Sequence, residues 1–170
     1  MVARIAAGAP AADCRAPSQE VRMPGAPELN LRIVLAEPPE GVRYCLQRRS
    51  RADCVDHATS SGGDMVFHVP VRVKPGGEAP DFLGPMVRGR PGDRHIAILI
   101  GTLAGDEGSC WTRGLKIRLL RISWAQVEAA QATPGGALQG RFIARARDGS
   151  PACATAKVAE DGAWRTVPSR

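Results

Sequence analysis

After residue 28 the chain is written mostly in alternating apolar and polar positions, the period of a strand with one face buried. Leu31, Ile33 and Leu35 alternate with Asn30, Arg32 and Val34 until Glu37-Pro38-Pro39, where proline removes a ladder donor and stops the run. Val42, Tyr44 and Leu46 then alternate with Arg43, Cys45 and Gln47. Their spacing predicts a hairpin closed by the Pro38-Pro39-Glu40-Gly41 connection. The clearest alternation is Met65, Phe67, Val69, Val71 and Val73, with His68, Pro70 and Arg72 on the opposite face. A proline there predicts an edge strand with Pro70 toward solvent and His68 as a surface side chain.

Residues 95–100, HIAILI, are apolar on both faces, which predicts a strand at the centre of a sheet. Leu115, Ile117 and Leu119 alternate with Lys116 and Arg118. Phe142, Ala144 and Ala146 open a last β-rich third, in which Asp148-Gly149 and Asp161-Gly162 are hairpin signals leading into residues 152–158 and 164–167. One segment departs from the period of two. Ser123-Trp124-Ala125-Gln126 has capping-box spacing and predicts a helix near 124–132, ended by Thr133-Pro134-Gly135-Gly136, with Trp124, Val127 and Gln131 on its packed face.

The remaining stretches lack period. Residues 1–28, rich in Ala, Pro and Gly, read as a flexible leader, within which Met23 is a second candidate start of translation. Residues 48–63 read as a long polar loop holding Cys54, Asp56 and His57. The expected architecture is therefore one mainly β domain over 29–170, an antiparallel β-sandwich or barrel with one short α-helix.

Composition changes this picture little. A hydrophobic fraction of 44% and a charged fraction of 24% are those of an ordinary globular domain. The net charge of +6 is carried almost wholly by arginine, a bias that codon usage in a GC-rich genome explains and that an anion-binding face would also produce. An aromatic content of 4%, with no helix-turn-helix, zinc-finger or aromatic RNA-binding signature, argues against nucleic acid as the partner. Five unclustered cysteines, at 14, 45, 54, 110 and 153, predict reduced thiols and a cytoplasmic setting. No run approaches the roughly 18 apolar residues of a membrane span, and the N-terminus is a poor signal peptide.

Candidate chemistry gathers between Phe82 and Trp124. Gly101 to Gly108 superficially resembles a phosphate cradle, but it lacks the closing Gly-Lys-Ser/Thr and carries Asp106 and Glu107. Cys54 and His57 are too few for a zinc centre with Cys45, so no metal or cofactor is expected. Trp111, Arg113 and Lys116 offer an indole and two cations for an anionic ligand, with Phe82 and Arg94 on a neighbouring loop.

The chain carries, in order, Leu31-Arg32-Ile33-Val34, Pro38-Pro39-x-Gly41-Val42, Tyr44-x-Leu46-Gln47, Phe82-Leu83-Gly84-Pro85, Gly101-Thr102-x-Ala104-Gly105, Ser109-Cys110-Trp111-x-Arg113-x-x-Lys116 and Asp148-Gly149-x-Pro151-Ala152-Cys153-Ala154. In these segments it resembles a family of small bacterial proteins, domain of unknown function 5990. The resemblance spans about residues 29–168 and implies a domain boundary but no activity. The expected function is a non-enzymatic binding module, its loops 48–63, 82–94 and 103–114 shaping a site for a small molecule or protein. The alternatives are an enzyme using Cys110 with His57 or His95, and a weak anion or nucleic-acid binder.

Overall fold

The computed structural model describes residues 17–22, 28–47, 54–84, 86–89, 97–103, 115–119, 121–143 and 164–168. In chain order they form β1 (Gln19–Arg22), β2 (Leu29–Ala36), β3 (Arg43–Gln47), β4 (Cys54–Thr59), β5 (Met65–Lys74) and β6 (Asp81–Leu83). There follow β7 (Val87–Arg88), β8 (Ala97–Leu103), β9 (Leu115–Arg118), α1 (Trp124–Ala132), β10 (Ala137–Ile143) and β11 (Arg165–Val167). One sheet has the order β1-β5-β2-β10-β11, with β6 added along β5, and the other has the order β4-β3-β8-β7, with β9 also on β8. Their inner faces share one core. Leu31, Ile33, Leu35, Phe67, Val69 and Leu138 come from the first sheet and Tyr44, Leu46, Ile98, Ile100 and Ile117 from the second. Burying a side chain such as Phe67, which is 0% exposed, contributes about 1.5–3 kcal/mol. Among the described residues the protein is thus mainly β with one helix, and its sheets stack without closing into a barrel.

The period of two located β2, β3 and β5 correctly because it reports which residues face the core. Pairing was another matter. β2 and β3 are not a hairpin: β2 pairs with β5 and β10, and β3 pairs with β4 and β8. The connection between them passes from one sheet to the other, with Glu37 and Gly41 at positive φ of 42° and 79°. Nor is the first sheet antiparallel throughout, since β1 with β5 and β2 with β10 run parallel.

β5 is an interior strand rather than an edge. On the side away from β2 its neighbours are β1 along Met65–His68 and β6 along Arg72–Lys74. Pro70 falls in the interval between them, where a missing N–H costs no ladder bond to either. Gly84, in the Phe82-Leu83-Gly84 corner after β6, fits closely beside this gap, since a Cβ there would stand 3.1 Å from the Pro70 carbonyl. Part of the loop expected at 48–63 is strand, since Cys54–Thr59 pairs with β3. Gln19–Arg22, inside the stretch read as a leader, forms β1.

Cys45 is disulfide-bonded, which overturns the expectation of reduced thiols. With it goes the argument from thiols to a cytoplasmic setting, because disulfides persist mainly in oxidising compartments. Among the described residues no helix is long and apolar enough to cross a membrane.

The helix begins as its capping box requires. Ser123 Oγ accepts the Gln126 N–H at 3.3 Å, and Gln126 Oε1 accepts the Ser123 N–H at 2.8 Å. Its packed face is carried by Val127 and Ala130. Gln131 is exposed, and Trp124 is half-buried, its indole N–H donating to the Gly77 carbonyl at 3.2 Å. The Asp-Gly turns at 148–149 and 161–162 and the strand expected at 152–158 lie outside the described residues.

Candidate functional site on the outer face of the six-stranded sheet

The alternation that sends Leu31 and Ile33 inward sends Arg32 outward, and in a sheet the same rule applies along each register row. Arg22 of β1 is the register partner of His68, His68 of Arg32, Arg32 of Gln139, and Gln139 of Arg165. One transverse row therefore crosses five of the six strands, with basic residues at four of its positions. Arg32 is 24% exposed by side chain, Arg165 is exposed, and Arg72, four residues beyond His68 on the same face of β5, is exposed as well. The neighbouring row, Glu20, Val66, Val34 and Arg141, places two buried valines between an acid and an arginine.

At the β1 end of this face His68 and Arg32 hold a carboxylate. The imidazole Nε2–H of His68 donates to Glu20 Oε2, and Arg32 Nη2 lies 3.7 Å from Glu20 Oε1. His68 is only 8% exposed, so it is a buried partner and not the surface side chain its strand position suggests. Burial of the Arg32 guanidinium is uneven: its Nε is buried without a hydrogen-bond partner. β1 is further tied by Gln19, whose Nε2 donates to the Thr59 carbonyl at 2.8 Å while its Oε1 accepts the Ser61 N–H at 3.1 Å. Val21, the next residue after Gln19 and Glu20, is 6% exposed and belongs to the core.

Asp64 fixes the corner from which β5 departs. Its Oδ2 accepts from Arg141 Nη1 at 2.9 Å, its Oδ1 accepts the Glu37 N–H at 3.0 Å, and its carbonyl accepts the Gln19 N–H at 2.8 Å. One carboxylate thus joins β10 to the strained turn after β2. Asp64→Ala is expected to cost about 2 kcal/mol, since hydrogen bonds to a charged group contribute roughly 1.5–3 kcal/mol and the groups here are partly exposed. Denaturant unfolding measures it. A loss below about 0.5 kcal/mol, the usual size of a surface substitution, would show that the corner is held by something else.

Among the residues expected to form a site, Phe82 is 3% exposed and packs in the core. Lys116 stands on β9 opposite Leu99 in register. Trp111, Arg113, Arg94, Cys110 and His95 lie outside the described residues, and the backbone of His57 on β4 pairs with Cys45 of β3. The structure brings together a set that sequence reasoning passed over: His68, Arg32 and Glu20. Their signal was visible only in part, as basic residues on the outer positions of two strongly alternating strands. Nothing in the short run of β1 marks Glu20. Elsewhere, an open cleft of about 250 Å³ lies between residues 28–30 and Thr133, Gly135 and Gly136, beside Ala130 and Gln131. Among the described residues no group of three or more His, Cys, Asp and Glu side chains could hold a metal ion.

The chain matches the family described as a family of unknown function, DUF5990, over residues 29–167, and it belongs to that family. No curated protein and no solved structure matches it.

Proposed function

We propose that this member of the family is a non-enzymatic binding module that takes an anionic protein partner on the arginine-bearing face of its six-stranded sheet. The observation supporting this reading is that the exposed Arg165 of β11 shares a register row with the partly exposed Arg32 of β2, while the exposed Arg72 stands on the same face of β5. Arginine suits this use because its planar fork meets a carboxylate with two parallel hydrogen bonds. A chain with net charge +6 adds long-range attraction for acidic partners. The surface differs from the loops expected around Trp111, since here the strands themselves carry the cations.

Fluorescence anisotropy with a labelled acidic peptide, inorganic phosphate as competitor and a short single-stranded oligonucleotide tests the reading. Binding of the acidic peptide at low salt is expected, weakening as salt screens the charges. The double variant Arg72→Ala/Arg165→Ala is expected to weaken it about tenfold, the effect of losing roughly 1.4 kcal/mol of charge-assisted contact. Absence of binding at low salt, or equal binding by the double variant, would overturn the proposal. Tighter binding of the oligonucleotide than of the peptide would move the partner class to nucleic acid.

A further inference from the structure

The family match begins at residue 29, and β1 precedes it. The family unit therefore contains the edge of β5 along Met65–His68, whereas the strand covering that edge comes from outside the unit. An uncovered strand edge presents a row of backbone donors and acceptors, the template on which extended peptides add by β-augmentation. We propose that the Met65–His68 edge is a strand-acceptor site for an extended peptide of the pattern amide, carboxylate, aliphatic residue, and that Gln19–Arg22 occupies it in cis as a built-in competitor.

Each position of the cis strand is read by a different chemistry. The side-chain amide of Gln19 is clamped at both ends by backbone, the Thr59 carbonyl and the Ser61 N–H, as only Asn or Gln can be. Glu20 is seated between His68 and Arg32, so the acceptor recognises a carboxylate at the second position. Val21 enters the core at 6% exposure, so the third position takes an aliphatic group. Backbone pairing supplies the affinity and these three pockets the specificity, the division of labour in strand addition. The strand has four residues and runs parallel to β5. So short an edge element has few contacts to lose, and local opening is drawn from such elements. The inference deepens the binding-module reading by naming the partner as an extended peptide, but it stands on the β5 edge and not on Arg72 or Arg165.

The test uses the full chain and a fluorescein-labelled hexapeptide of residues 17–22, PSQEVR. In the parent, β1 competes, and an acceptor open in only about a tenth of the molecules binds about tenfold more weakly than a free one. Val21→Asp unseats β1 while leaving the acceptor edge unchanged, so this variant is expected to bind the peptide about tenfold more tightly than the parent. A peptide with Gln in place of Glu is expected to bind about tenfold more weakly, having lost the charge-assisted contact to His68 and Arg32. Equal peptide binding by parent and variant, or indifference to the Glu-to-Gln change, overturns the proposal. Should Val21→Asp fail to fold, hydrogen exchange on the parent decides: Gln19–Arg22 amides exchanging about a hundredfold faster than Ile33 and Phe67 support a displaceable strand. Exchange at the same rate makes β1 an integral part of the sheet and sinks the idea. Peptide capture that survives Arg72→Ala/Arg165→Ala, with acidic-peptide binding lost at the outer face, separates the edge site from that face. The reverse result removes the edge site alone.

Discussion

Replacing Tyr44 by phenylalanine is expected to stabilise the protein by about 1 kcal/mol at neutral pH and by more as the solution becomes alkaline. Tyr44 is 0% exposed in the core, and its hydroxyl is buried without a hydrogen-bond partner. A hydroxyl desolvated in this way costs roughly 1–3 kcal/mol, while the ring itself is a large apolar group that packs as phenylalanine would. Burial also raises the phenol well above its usual 10.0 in the native state. In the unfolded chain it ionises near 10. Below that pH both states keep the proton and the contribution to pH dependence is nil. Above it the unfolded state loses a proton that the native state retains, so stability falls by about 1.4 kcal/mol for each further pH unit. The loss continues until the raised native value is reached.

Tyr44 is the one tyrosine in the sequence, which makes the experiment clean. Tyrosinate absorbance in an alkaline titration is expected to appear only with unfolding, and unfolding by denaturant above pH 10 is expected to be less pH-dependent in Tyr44→Phe by that single-proton slope. Tyrosinate forming near pH 10 in the folded protein would show that water reaches the ring. A phenylalanine variant less stable than the parent would show that the hydroxyl has a partner.

Gly136→Ala is expected to be the most damaging small substitution, costing about 3 kcal/mol or more. A Cβ at Gly136 would lie 2.2 Å from the Ala130 carbonyl oxygen and 2.8 Å from that of Thr133. Both obstacles are backbone, so relief requires moving the end of α1 and not merely a side chain. That end is anchored by Ala130 and Val127 in the core and by the Gly136 N–H donating to the Thr133 carbonyl at 2.8 Å. The adjacent Gly135 is a control of a different kind. Its φ is +63°, and alanine there is expected to cost only about 1–2 kcal/mol, from the left-handed backbone. Chemical denaturation of the two variants separates the mechanisms. If Gly136→Ala proves no worse than Gly135→Ala, the tight approach to α1 does not constrain the native turn.

The parts of this fold that were legible in the sequence are those decided by neighbours in the chain. The capping box at Ser123 and Gln126 placed the helix start, since both of its hydrogen bonds close within four residues. The alternation in β2 and β5 identified the inward residues, because successive strand side chains must point to opposite faces. β4 escaped detection for the complementary reason: Cys54–Thr59, read as polar loop, is a strand through its pairing with β3. The basic positions at His68 and Arg32 were visible, but not that Glu20 would be delivered between them from 48 and 12 residues away. No local pattern records such a meeting.

By itself, then, the sequence determined that the protein is mainly β with one capped helix, and which residues of β2 and β5 face inward. Tertiary structure alone decided that β2 and β3 part into different sheets, that β1 joins β5 in parallel, that Cys45 is bonded through sulfur, and that arginines from separate strands align in one row. The physical reason is that the side-chain period reports inside from outside within a strand, whereas partner, direction and register are fixed by contacts between segments remote in the chain.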